Sequence, residues 1–301
     1  MSGISTSLVQ ANGLTFEVDQ CGDGHKLALC LHGFPESKFS WRYQIPMLAE
    51  LGYTVWAPNL RGYGGTTRPE EKNAYKMDNL MADVAGLIDA ARARGIDGPV
   101  TLIAHDWGGA IAWSFALQEV RPLEKFIVMN LPHPTIFMQK VGTWAQLRKS
   151  WYIFFFQLPW LPEWMMRRNN AEFIAQAFRG MAVDKSRFPD EVLNEYRRNA
   201  LNPGALTAMV NYYRAAFSDR ALSRRWRSPP QLKTPTLMIW GEEDAALGKE
   251  LTYGTEALVD NFMIRYLPGV SHWVQQEAPE KVNAIMRAWL EGQPVPEADK
   301  L

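Results

Sequence analysis

The chain has 301 residues, enough for one elaborated α/β domain with a sizeable core. Its 32 lysines and arginines balance its 32 aspartates and glutamates, which excludes a long-range field drawing it onto nucleic acid or an anionic membrane. The start of the sequence has no charged region followed by an apolar stretch and a cleavage site, so the cytoplasm is the expected compartment, and Cys21 and Cys30 are too few for a disulfide framework and lack metal-type spacing.

A hairpin is expected at residues 8–18, turning at Asn12-Gly13, a pair that tolerates the positive φ of a two-residue turn. Short runs rich in Val, Ile and Leu follow at Lys26–Leu31, 54–58, 100–104 and 126–130, alternating with longer amphipathic stretches. That alternation is the pattern of a mostly parallel sheet covered by helices on both faces. Between residues 132 and 230 it stops. A helix-prone stretch takes over, rich in aromatic residues that include Trp144, Trp151, Tyr152, Phe154, Phe155, Phe156, Trp160 and Trp164. This reads as a helical cap inserted into an α/β core, dividing the chain into core 1–131, cap 132–230 and core 231–301. The most apolar run, 151–160, is far shorter than the roughly 20 residues a membrane-spanning helix needs. No membrane span is expected, and the aromatic side chains are assigned to packing and to the roof of a pocket. Strands at 236–240 and 263–267 and an amphipathic helix at Pro279–Leu290 close the chain.

The strand at 100–104 runs into Ala104-His105-Asp106-Trp107-Gly108-Gly109 before a helical segment. Small residues at these offsets permit the tight strand-to-helix corner known as a nucleophile elbow, in which Asp106 occupies the position of the serine in G-x-S-x-G. A plain N-cap is the alternative role for Asp106. A carboxylate is a weak nucleophile toward a carbonyl but suits displacement at an sp³ carbon, where it forms an alkyl-enzyme ester. This points away from esterases, lipases and peptidases, and the helix N-terminus behind Asp106 favours its ionised form.

Hydrolysis of such an ester needs a base. His272, in Pro268-Gly269-Val270-Ser271-His272-Trp273, follows the last expected strand and is preferred over His25, His32, His105 and His133. The acid that orients it is expected between Asp106 and His272 in chain order. Gly241-Glu242-Glu243-Asp244 follows the strand at 236–240, with Asp244 the choice and Glu243 the alternative, whereas Asn130-Leu131-Pro132 offers no carboxylate. His32-Gly33-Phe34-Pro35-Glu36 follows the strand Lys26–Leu31, so the backbone N–H groups of Phe34 and Trp107 are the expected oxyanion donors, typically worth about 2.7–4 kcal/mol each. His32 and His133 are read as structural. Arg61-Gly62-Tyr63-Gly64-Gly65 does not open a helix in the nucleotide-binding pattern and is read as a turn.

These motifs, in this order across nearly the whole chain, resemble the α/β-hydrolase-fold epoxide hydrolases of the soluble type. The resemblance implies an α/β-hydrolase fold with a cap, and two cap tyrosines that hydrogen-bond the epoxide oxygen. It carries them onto Tyr152 and Tyr213, with Tyr212 the alternative to Tyr213. The chemistry agrees: ring opening expels an alkoxide, a poor leaving group, and a tyrosine with an ordinary pKa near 10 stays protonated and can donate. The implied reaction converts a small apolar epoxide and water to a vicinal diol, with no metal or organic cofactor. Attack by Asp106 is followed by water activated by His272 and Asp244, and Trp107, Phe34, Trp151, Tyr152 and Tyr213 are expected to touch the substrate. Monomer and homodimer are both open.

Haloalkane and fluoroacetate dehalogenases are similar and share the aspartate. The former commonly carry asparagine where Phe34 stands, and the latter carry arginine where Trp107 stands and a cap His-Trp pair in place of Trp151-Tyr152. A ligand receptor that keeps the fold without turnover is a third reading, opposed by the complete set of candidate residues.

Overall fold

The structure is a computed structural model, and it describes residues 3–143, 148–149 and 151–301. Eight strands form one sheet in the order β1-β2-β4-β3-β5-β6-β7-β8. They are β1 (Ser5–Ala11), β2 (Leu14–Cys21), β3 (Lys26–Leu31), β4 (Tyr53–Pro58), β5 (Val100–His105), β6 (Lys125–Met129), β7 (Thr236–Gly241) and β8 (Phe262–Leu267). β1 and β2 form the antiparallel hairpin, with Asn12 and Gly13 both at positive φ and Ala11 opposite Leu14. β2 pairs antiparallel with β4, and the remaining neighbours are parallel. The hairpin alternates exposed and buried residues, whereas β4, β5 and β7 are buried throughout because helices cover both faces.

One face packs against α2 (Met77–Ala93) and α3 (Asp106–Leu117), through side chains such as Leu80, Val84, Ile111 and Phe115. The other packs against α1 (Gln44–Glu50) and the C-terminal helix Pro279–Leu290, which buries Val282, Ile285 and Met286 on one stripe. Proline opens that helix, Glu280 lies in its first turn and Arg287 in its last, each suited to its end.

Between β6 and β7 the chain runs through α4 (Pro134–Lys140), α5 (Trp151–Phe155), α6 (Leu161–Met181), α7 (Asp190–Leu201), α8 (Ala205–Ser218) and α9 (Arg220–Arg225). α6 breaks at residues 168–171, where the backbone leaves helical geometry. After β8 come the single turn α10 (Val274–Glu277) and the C-terminal helix already described, now α11. None of the described helices is long and apolar enough to cross a membrane.

The chain leaves β3 for β4 on one side and returns to β5 on the other. The C-terminal ends of β3 and β5 therefore flank the point where strand order reverses, the place where open α/β sheets bind ligands. The Arg61–Gly65 stretch is a turn: Arg61 pairs with Asp83 of α2 through bonds of 2.7 and 2.6 Å, and Tyr63 N–H donates to the Leu60 carbonyl.

Candidate active site

β5 ends at His105 and α3 begins at Asp106, whose φ of 46° lies in the left-handed region. A non-glycine residue holds that conformation only where its surroundings enforce it. Two glycines let the chain close around it. A Cβ on Gly108 would lie 2.2 Å from the Leu31 carbonyl oxygen, and one on Gly33 would lie 2.4 Å from Cβ of Asp106. The loop after β3 can thus press against Asp106, and the Phe34 N–H donates to Asp106 Oδ1 at 2.7 Å. The Trp107 backbone N–H follows Asp106 in the first turn of α3, whose unpaired donors favour an anion there.

On the other side of the carboxylate, His272 Nε2 lies 3.6 Å from Asp106 Oδ2. Its Nδ1 lies 2.7 Å from Asp244 Oδ2, so Nδ1 carries the proton and Nε2 faces Asp106. Asp244 is itself held fast: its Oδ1 accepts from the N–H groups of Ala246 and Leu247 at 2.7 and 2.8 Å, and its Oδ2 from Asn130 Nδ2 at 2.8 Å. Glu243, the alternative acid, is exposed. Burial works against charge on His272, but the carboxylates of Asp244 and Asp106 outweigh it and push the imidazole up from 6.5 to about 10. Burial likewise opposes the charge on Asp106, and its partners His272, His105 and the Phe34 N–H overcome it, holding the carboxyl below its usual range.

Behind this trio lies a second set of buried polar groups. Glu36 Oε2 accepts from the Gly33 N–H and meets His105 Nδ1, both at 2.7 Å, while Oε1 accepts from the side chains of Gln275 and Gln276 at 2.8 Å. The other nitrogen of His105 meets the His272 carbonyl at 2.8 Å. His105 therefore braces both the loop that carries Phe34 and the loop that carries His272. Glu277 of α10 accepts from the N–H groups of Val183 and Asp184 at 3.0 and 2.8 Å, and from the N–H and hydroxyl of Ser271. Asn130, Glu36, Gln275, Gln276 and Glu277 were not among the residues expected from sequence. The signal available was a run of polar residues directly after the His272 motif, in a segment the fold buries completely.

The other histidines stand apart from this chemistry. His32 accepts from the Leu60 N–H through Nε2 at 3.0 Å, His133 accepts from the Thr135 N–H at the start of α4, and His25 is exposed.

A cavity of about 440 Å³ opens over Asp106. Tyr152 of α5 and Tyr213 of α8 line it, with ring centroids 5.9 Å apart, together with Trp107 and apolar side chains such as Leu131, Phe137, Leu222 and Trp226. Burial, reinforced by the negative charge of Asp106, raises both tyrosines above their usual value, so both keep their protons. The Trp107 indole packs edge-on against Tyr213, with ring centroids 5.0 Å apart. Tyr212 points the other way and donates to the Arg61 carbonyl at 2.8 Å.

Two expected substrate contacts are corrected. Trp151 is 57 % exposed with its ring against Phe155, because the residue beside Tyr152 on α5 is turned about a quarter of the way round the helix. The Phe34 ring does not line the cavity either; it packs edge-on behind Tyr213 and Phe156, and only its N–H reaches Asp106. Trp144 lies outside the described residues. Among the described residues, no group of three or more His, Cys, Asp or Glu side chains could hold a metal ion.

Comparison with known proteins places this geometry in a family. The profile of the alpha/beta hydrolase fold matches residues 28–279. The chain is 36 % identical over 296 residues to the AB hydrolase superfamily protein YfhM of Bacillus subtilis, covering 97 % of this chain and 100 % of that protein. It is 37 % identical over 289 residues to Epoxide hydrolase 4 of Homo sapiens, covering 94 % of this chain and 77 % of the human protein. Among solved structures, the Bacillus megaterium epoxide hydrolase in complex with an inhibitor superposes with a TM-score of 0.85 at 29 % identity, over 95 % of this chain and 100 % of that one. The extent of these matches, added to the fold, makes the chain a member of the α/β-hydrolase-fold epoxide hydrolases.

Proposed function

We propose that this protein hydrolyses apolar epoxides to vicinal diols through a covalent ester on Asp106. The observation that carries the reading is the placement of two protonated tyrosines, Tyr152 and Tyr213, in the same apolar cavity as a carboxylate held at the elbow. A carboxylate facing two phenolic donors suits a substrate with an electrophilic carbon next to an oxygen that must be protonated as it leaves.

In the first step Asp106 Oδ2 attacks an oxirane carbon, the carbon–oxygen bond breaks, and the departing oxygen takes a proton from a tyrosine. The charge on Asp106 disappears as the ester forms. With it goes one of the two carboxylates that hold His272 protonated. The imidazolium then gives up its proton to restore the tyrosine, and the neutral ring becomes a base. In the second step His272 removes a proton from water, hydroxide adds to the ester carbonyl, and the oxyanion is met by the N–H groups of Phe34 and Trp107. Collapse of that intermediate frees the diol and regenerates the Asp106 carboxylate beside protonated His272. Asp244, fixed by three donors, keeps the ring in its tautomer throughout.

The dehalogenase reading has less support. A departing halide needs bare N–H donors, and Phe34 contributes no side-chain donor, whereas the two tyrosines that line the cavity with Asp106 suit a leaving oxygen that must take a proton. The test is to incubate the protein with matched apolar epoxides and alkyl halides, following diol by chromatography and halide by electrode. Diol without halide is expected; halide without diol overturns the reading.

A further inference from the structure

The cavity over Asp106 is one-sided. Its core lining comes from α3 and from the segments after β6 and β7, namely Trp107, Ala110, Leu131, Pro132 and Leu247, and none of it comes from the loops after β3 or β4. On the β3 side the space beside Tyr213 is filled by Phe34 and Phe156, and the three rings are in mutual contact. Phe34 and Phe156 are 5.4 Å apart, Phe34 and Tyr213 5.3 Å, and Phe156 and Tyr213 4.9 Å, with Phe156 only 1 % exposed. The flank under His272 is closed in the same manner by Trp273 and Phe178, whose rings lie 4.4 Å apart.

An oxirane seated with its oxygen on the two tyrosines and one carbon on Asp106 directs the substituents of its two carbons toward opposite ends of the site. One end meets the open apolar cavity. The other meets close-packed rings that yield only at the cost of overpacking. Building on the epoxide reading, we infer that the substrates are terminal epoxides bearing a single apolar substituent, and that Phe156 sets this selectivity. Of the three rings on the closed side, Tyr213 offers a hydroxyl to the substrate and Phe34 owes its position to the main chain that reaches Asp106. The Phe156 side chain only fills space, packing on Tyr152, Phe155, Phe34 and Tyr213. Shortening it opens a second arm without removing any donor.

The experiment compares two isomers with identical atoms and different distribution of bulk: para-phenylstyrene oxide, with both rings in a single biphenyl substituent on one carbon, and trans-stilbene oxide, with one ring on each carbon. Diol formation gives kcat/KM for each substrate with the wild type, Phe156→Ala and the milder Phe156→Leu. The wild type is expected to prefer the terminal isomer by roughly a hundredfold, and Phe156→Ala to narrow that ratio by about tenfold or more. Equal rates on the two isomers overturn the inference and leave epoxide hydrolysis standing. Diol from neither isomer, with smaller apolar epoxides still hydrolysed, overturns this inference alone; diol from no epoxide at all overturns epoxide hydrolysis, and this inference with it. A wild-type preference that neither variant narrows removes Phe156 as its cause. If Phe156→Ala does not fold, the wild-type ratio and Phe156→Leu decide the matter.

Discussion

The two walls of the site are built on different physics. On the core side, Asp106, His272 and Asp244 are held by short, directional bonds: Phe34 N–H on Asp106, three donors on Asp244, and the His105–Glu36 pair bracing the loops from behind. On the side of the helices inserted between β6 and β7, Tyr152 and Tyr213 sit among rings that meet edge-on or tilted at 4.9–5.9 Å and share few hydrogen bonds. A hydrogen-bonded wall tolerates little displacement, because a buried group that loses its partner carries the full desolvation cost. An aromatic wall can be recut residue by residue. The proposed mechanism thus assigns the chemistry to the hydrogen-bonded half and the choice of substrate to the aromatic one.

The largest expected effect lies in the core wall. Asp106→Ala should abolish turnover, and His272→Gln should lower it by roughly three orders of magnitude or more while still permitting attack by Asp106. Intact-mass spectrometry of His272→Gln after exposure to substrate is expected to show an added mass equal to the epoxide; an unmodified protein would break the proposed two-step scheme. Next come the donors across the cavity. Tyr152→Phe and Tyr213→Phe should each slow ring opening by about a hundredfold, measured as the single-turnover rate of ester formation, whereas Tyr212→Phe should leave that rate within roughly threefold. If the Tyr212 variant proves the more damaging, the assignment of Tyr213 is wrong.

Smaller effects separate positioning from reaction. Asn130→Ala strips a donor from Asp244 and the clasp on Gly241, and should cost about 1.5–3 kcal/mol in a denaturant melt. Protonation of His272 links the same cluster to pH. Because it titrates near 10 in the fold rather than at 6.5, its contribution to stability is complete below 6.5 and is lost as pH rises toward 10. The stability gap between wild type and His272→Gln should therefore shrink across that interval; a gap that widens with pH would reverse the sign of the argument. The smallest effect is expected at Trp151. Its alanine variant should change stability by no more than about 0.5 kcal/mol and kcat/KM by less than roughly twofold, and a larger loss would restore it to the substrate wall.

What could be read from the sequence follows the same division. The strands, the turn at Asn12-Gly13 and the elbow at Asp106 were legible because each rests on local constraint: buried runs, positive-φ residues, glycines where the backbone must approach; His272 and Asp244 were reached through the chain order of nucleophile, acid and base after their strands. The strand at β6 stopped one residue short of expectation, at Met129, because Asn130 turns to φ 41° to clasp the main chain of Gly241. That partner is 111 residues away in the chain. Glu36 and Gln275 are 239 residues apart, and no local pattern announces such a bond. The inward or outward turn of Trp151 and of the Phe34 ring depends on the rotation of α5 and on the filling of space by Phe156, which are matters of packing and not of motif.

Glu277 carries one last consequence. Its carboxylate divides its lone pairs between two parts of the molecule: Val183 and Asp184, which follow α6, and Ser271, the neighbour of His272. Undocking the helical insertion would strand a buried anion with half of its donors gone. The insertion and the histidine loop are therefore expected to open together, with hydrogen exchange at the amides of Val183, Asp184 and Ser271 proceeding at a common opening free energy.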